Sequence, residues 1–202
     1  MSDLTQPTEK LPELAVTMLS HFGRPIQGVG PYADELTTEL EHSIPRLQKV
    51  NYSRAYPEII NSSQSMEKRS NHQNSIHYLS PKSWSNFCEN CHDIVHIQYW
   101  TVFSSYYLYA IVRQLKKMGK SPIITVHTPT AHEKIPVLGL FEKAMLKSAS
   151  HLIVHTEQGK RRLAENFGID KDSIDMMEHR KGVKNGSRQH YVQMQNYMRQ
   201  HD

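Results

Sequence analysis

The sequence predicts an α/β fold, a Rossmann-like doubly wound parallel sheet in a single domain. Three observations carry this expectation. Between residues 93 and 180, three short apolar runs alternate with helix-like segments: DIVHIQYW (93–100), PIITVHT (122–128) and HLIVHTE (151–157). Apolar strands separated by helices imply parallel strands covered on both faces. Near residue 28 a glycine-rich turn joins an apolar run to a helix pattern, the usual opening of a nucleotide-binding α/β unit. Histidines stand at or near the ends of the apolar runs, where such sheets bind ligands beyond the carboxyl ends of their strands.

Residues 1–13 are polar and read as a disordered leader. LAVTMLSHF (14–22) is apolar enough for a first strand. GRPIQGVGPY then turns the chain with three glycines and two prolines. A helix follows at 33–41, with Leu36 and Leu40 four residues apart and acidic residues in its first turn, where the helix dipole favours them. Residues 47–52 read as a second strand, 61–74 as a long exposed loop, and 75–79 as a short strand. A short helix at 81–90 carries Trp84 and Phe87 three residues apart.

A strong helix at 101–117 follows, with Phe103, Tyr106, Tyr107, Ala110, Ile111 and Leu115 along one side. Gly119 ends it as a C-terminal cap. The next helix, 136–148, is expected to turn Leu140, Ala144 and Met145 inward. Another spans 158–166 and is stopped by Phe167-Gly168. Residues 173–177 make a last short strand. Beyond residue 183 the chain is polar and Gln-rich, and Tyr191, Met194 and Met198 form one face of a weak helix within a tail at 184–202.

Composition excludes several classes. No run of about 18 apolar residues exists, so no membrane-spanning helix is expected. The N-terminus lacks the basic and apolar regions of a secretory signal, which points to the cytoplasm. The net charge of +4 is mild, and the cationic clusters at 113–120 and 160–162 read as solvated helix faces. Nucleic acid is therefore not an expected partner, whereas a phosphate-bearing ligand or peripheral contact with an anionic membrane stays compatible. Cys88-Glu-Asn-Cys91-His92 matches the pattern of covalent haem attachment. Haem attachment needs export, and a zinc site needs two more ligands, so the two cysteines read as ordinary cytosolic thiols. No metal is expected.

Several residues have the chemistry of a site. Gly28-Val29-Gly30 would let backbone N–H groups approach an anion at a helix N-terminus. Such a turn is also often only a tight turn. It departs from the full dinucleotide fingerprint in having Ala33 at the last glycine position, a tolerated change. His127 ends an apolar strand, where a neutral imidazole can hydrogen-bond a substrate hydroxyl or phosphate; the alternative is a core histidine bonded to the backbone. Thr128, His155 and Thr156 fall at comparable places. His132-Glu133 lies in the loop beyond His127 and either binds ligand or caps the next segment. His96 lies mid-strand and reads as structural. Tyr99 and Trp100 could stack on a sugar ring, although plain packing accounts for them as well. No hydrolase elbow, P-loop lysine or H-E-x-x-H motif occurs.

These residues, in this order, resemble a known family. The span from Asp93 to Leu163 is similar to the N-terminal half of family 4 glycosyltransferases, which have the GT-B fold. The likeness rests on a D-[IV]-V-H-like strand, a helix, a T-V-H strand end, a His-Glu loop, a further helix and a V-H-T strand. GVGPYADELTTEL resembles the family's glycine loop, with its tyrosine at Tyr32, and its first helix. The match covers roughly residues 14–183 and is most specific at 93–167. It implies transfer of a sugar from a nucleotide-sugar donor to a glycan or lipid acceptor, often without metal and with no cofactor. By position, His127 would be the catalytic cleft histidine. Gly28, Val29 and Gly30 would face the donor phosphates. Tyr32, Trp100, Thr128, His132 and Glu133 would line the acceptor side.

The sequence departs from the family near its end. An Ile-Pro-His-Gly element normally leads into a second, donor-binding domain, but Met177-Glu178-His179-Arg180 stands there. Most stabilisation of the leaving diphosphate would come from that second half. The expectation is an acceptor-side half that is inactive alone, either truncated or completed by a partner chain. A non-catalytic module binding a glycan, a lipid or a protein is the alternative. A dinucleotide enzyme would want an acidic residue about 20 positions after the glycines, where Asn51 and Ser53 stand instead.

Overall fold

A computed structural model describes residues 14–22, 29–42, 44–54, 75–128 and 135–177. In chain order the elements are β1 (Ala15–Ser20), α1 (Val29–Glu41), β2 (Arg46–Arg54), β3 (Ser75–His77), α2 (Pro81–Asn90), β4 (Ile94–Tyr99), α3 (Ser105–Lys117), β5 (Ser121–Val126), α4 (Pro136–Ser148), β6 (His151–Val154), α5 (Glu157–Phe167) and β7 (Ile174–Met176). The strands form one seven-stranded sheet in the order β3-β2-β1-β4-β5-β6-β7. Every neighbouring pair is parallel. The strand order reverses between β1 and β4, and a sheet of this kind opens its ligand crevice at that point.

Alternation along the strands assigns side chains to two faces. Val16, Met18, Ile94, Ile123 and Ile153 pack with Leu36 and Leu40 of α1. Leu19, Val95, Ile97, Ile124, Leu152 and Val154 pack with residues of α2, α3, α4 and α5 on the other face. Fully burying one such aliphatic side chain is worth about 1.5–3 kcal/mol, so these two layers hold the strand ends in place for the site.

Local chemistry explains the helix boundaries. Ser80 caps α2 by accepting from the Ser83 N–H, and Pro81 opens the helix where its missing N–H costs nothing. Thr156 caps α5 through the Gly159 N–H, and Gly168 ends it at a φ of 63°. After α3, Gly119 takes a φ of 72°. The Lys120 N–H then reaches the Leu115 carbonyl and the Gly119 N–H reaches that of Lys116, the paired bonds of a Schellman ending.

Four expectations from the sequence are corrected. Helix α1 starts at Val29 rather than Ala33, because Pro31 is tolerated in a first turn. Asp34 and Glu35 consequently fall beyond that turn, which holds no acid. The 101–117 helix opens as a 3-10 turn at Val102–Ser104 and buries Tyr107, Leu108, Ile111, Val112 and Leu115. Phe103, Tyr106 and Ala110 are only half-buried, Tyr106 because its hydroxyl reaches out to the Tyr78 carbonyl. In α4, Leu140 is 70% exposed while Glu142, Met145 and Leu146 are buried. The inward face is rotated because Glu142 finds a buried donor in Tyr99. The leader, the 61–74 loop, Gly28, the His132-Glu133 pair and the 184–202 tail lie outside the described residues.

Candidate functional site

The carboxyl ends of the strands gather two ring clusters, one on each face of the sheet. On the α1 face, His127 follows β5, His155 follows β6, and Tyr32 reaches them from α1. Ring centroids are 5.1 Å apart for Tyr32 and His127, 5.0 Å for Tyr32 and His155, and 5.0 Å for His127 and His155. The three rings thus form a nearly equilateral triangle. The Met177 carbonyl accepts from His155 Nδ1 at 2.9 Å, and its sulfur takes the Tyr32 hydroxyl at 3.7 Å.

A buried chain of hydrogen bonds holds His127. Its Nε2 donates to Gln98 Oε1 at 2.7 Å. Gln98 Nε2 donates toward His96 Nε2 at 3.2 Å, and the Thr125 hydroxyl lies 2.6 Å from the same nitrogen. Gln98, His96 and Thr125 are fully buried. Such groups are tolerated inside a protein only when bonded, which each of them is. The pattern leaves Nδ1 as the lone-pair nitrogen of a neutral His127 ring. The mid-strand reading of His96 as structural holds, with the addition that it supports His127 through Gln98.

Tyr32 supplies the complementary group. Burial, and then the negative charge of Glu35, hold its phenol far above the ordinary range. It therefore stays a neutral O–H donor throughout the working pH range. Val29 and Gly30 stand in the first turn of α1 and are buried, so these two residues of the glycine motif lie inside the helix. The turn's backbone N–H groups and dipole favour an anion. Thr128 follows His127 and is half-buried.

The second cluster lies on the opposite face, at the point where the strand order reverses. His21 follows β1 and is 1% exposed. Its ring lies 4.6 Å from Trp100, edge to face, and 5.0 Å from Tyr52. Trp100 is half-buried, with its edge against Tyr52 as well. Tyr99, in contrast, is buried and bonded to Glu142 at 2.7 Å, so packing and not stacking on a ligand is its role. Burial raises the pKa of Glu142, and the Tyr99 hydrogen bond only partly lowers it again.

Sequence reasoning missed His21 and Gln98. Both had a signal: a polar residue at the carboxyl end of an apolar strand, which was absorbed into the strand pattern. Cys88 and Cys91 are both buried. Lys120 Nζ donates to the carbonyls of Cys88 and Cys91 at 2.8 and 2.6 Å and approaches Cys91 Sγ at 3.4 Å. The lysine thereby closes the C-terminal end of α2.

No curated protein matches the chain. The family model described as Glycosyltransferase Family 4 matches residues 63–178, more than half of the chain. The matched span holds strands β3 to β7 and both strand-end histidines of the ring triangle. The chain belongs to glycosyltransferase family 4.

Proposed function

We propose that this Rossmann-like unit is the acceptor-side half of a GT-B glycosyltransferase, and that His127, Tyr32 and His155 form one wall of its cleft. There a sugar passes from a nucleotide-sugar donor to a glycan or lipid acceptor. The observation that carries the reading is the placement of His127. It stands at the carboxyl edge of the sheet, oriented by Gln98 and flanked by two rings. A neutral imidazole offers an acceptor and a neutral phenol offers a donor, a pair suited to sugar hydroxyls. No metal or cofactor is needed for that role. The first turn of α1, with Val29 and Gly30 and the adjoining Gly28, suits the donor phosphates. His132, Glu133, Thr128 and Trp100 belong to the acceptor side by family position.

Stabilisation of the departing diphosphate requires a donor-binding domain facing this wall. Without it the unit binds acceptor but does not transfer. The test is titration of the 15N-labelled chain with acceptor-like glycans and glycolipid head groups. Shifts centred on Tyr32, His127 and His155 are expected. Sugar transfer is then assayed with a donor-binding domain supplied on a partner chain. Binding with no transfer under any such condition would make this a glycan-binding module. Absence of binding to any glycan, lipid or protein would remove both readings.

A further inference from the structure

We infer that the outward face of α3 and α4 docks on an anionic lipid surface. The inference rests on two independent features of that face. The first is apolar exposure. On α4, Val137 is 63% exposed, Leu140 70% and Phe141 36%. They lie within two turns of one another on the side away from Glu142, Met145 and Leu146, which face the core. Phe141 leans on Tyr109 of α3, with ring centroids 6.0 Å apart, so the patch continues across the seam between the helices. Large apolar side chains gathered on a solvent-facing helix mark an interaction site.

The second feature is charge. Lys143 and Lys147 are exposed on α4, and Arg113 and Lys117 on α3. Among the described residues none of these four is in an ion pair. Helix α3 contains no acid, and the single acid of α4, Glu142, is buried against Tyr99. The opposite layer is the reverse: α1 carries Asp34, Glu35, Glu39 and Glu41 and no Lys or Arg. Four exposed cations, Arg113, Lys117, Lys143 and Lys147, and no exposed acid thus stand on α3 and α4, beside the apolar patch.

Apolar side chains beside exposed cations on one helix surface suit the boundary between head groups and acyl chains. An acidic protein would satisfy the cations but has no general need for Val137 and Leu140 to be exposed. A second copy would bring cation against cation. Among the described residues no helix is long and apolar enough to cross a membrane, so the contact is peripheral. Helix α4 begins on the cleft side of the sheet, after β5. Docking by its first turns would thus bring the mouth of the cleft close to the lipid head groups.

The experiment is co-sedimentation of the full chain with two vesicle types: phosphatidylcholine alone, and phosphatidylcholine with roughly one-third phosphatidylglycerol. Binding is expected only to the second and is expected to weaken in high salt. Each cation near such a surface is worth about fivefold in partitioning, so Lys143→Gln with Lys147→Gln should cost roughly 25-fold. Val137→Ser with Leu140→Ser should abolish binding while leaving thermal unfolding unchanged, because both residues are exposed. Equal binding to both vesicle types overturns the inference. So does no binding to either, or a dimer in sedimentation velocity that either variant pair dissolves.

Discussion

His127 Nε2 stands 2.7 Å from Gln98 Oε1, a bond between a side chain of β4 and the residue that follows its parallel neighbour β5. Gln98 is fully buried and has a second bond, to His96. One amide thus decides which nitrogen of His127 carries the proton.

Replacing that amide should be visible without any activity. In Gln98→Leu, His127 and His96 each lose one hydrogen-bond partner, while His96 keeps Thr125, so the cost expected is about 1–3 kcal/mol in all. Urea unfolding should show the loss. Long-range 15N spectra of the imidazoles should show a dominant Nε2–H tautomer for His127 in the parent and a mixture in the variant. An unchanged tautomer population would refute the positioning role of Gln98.

His127 and His96 should separate in a transfer assay. His127→Ala is expected to lower sugar transfer by about 100-fold, the lower range for loss of a positioned polar group acting on a reacting hydroxyl. His96→Ala should lower stability more than transfer per folded molecule, because His96 acts only through Gln98. Equal losses of transfer matched by equal losses of stability would make His127 a packing residue.

Glu142 should make stability depend on pH. Burial raises its folded-state pKa above the ordinary value of 4.5. The folded protein therefore holds this proton more tightly than the unfolded chain does. Its stabilising contribution is complete below that ordinary value and is lost as pH rises through the raised one. Glu142→Gln keeps an acceptor for Tyr99 and removes the charge. It should raise the melting temperature by a few degrees at neutral pH, where about 1 kcal/mol corresponds to roughly 2–4 °C. The gain should vanish in acid, and an equal gain at all pH values would contradict the assignment.

The thiols should be silent in the folded state. Burial, reinforced by Cys91 and opposed by Lys120, pushes Cys88 up to about 12. Cys91 is also raised by burial, against Lys120. At pH 8 the thiolate fraction of Cys88 is roughly one in ten thousand. A thiol-specific reagent should modify neither residue until denaturant is added, and rapid modification of the native chain would show that α2 opens at its C-terminal end.

Much of the fold was legible along the chain. The ranges of α2 and α4 follow from Ser80-Pro81 and Pro136 at their starts, local signals that hardly depend on the rest of the molecule. Strands β4, β5 and β6 show as continuous apolar runs because both of their faces are buried. Helix α1 was misread by four residues, since Gly30 and Pro31 suggest a turn and yet occupy a helix's first turn. Leu140 was misread because side chains at apolar spacing were assigned to the core, while the core accepted Glu142 through a hydrogen bond to a strand far away in sequence.

The sequence by itself determined the class of fold, the succession of its elements, the family and His127 as a strand-end histidine. These depend on period, capping and turn chemistry, all of which act over a few neighbouring residues. Only the tertiary structure decided that His127 meets Tyr32 and His155, and that Gln98 bonds its ring. It alone placed His21 beside Trp100 at the reversal of strand order and left the cations of α3 and α4 on one face. Those relations join residues from 28 positions apart, for His127 and His155, to 123 apart, for Tyr32 and His155. They arise from strand order and register, which no local pattern encodes, because parallel neighbours are brought together by the packing of the intervening helices.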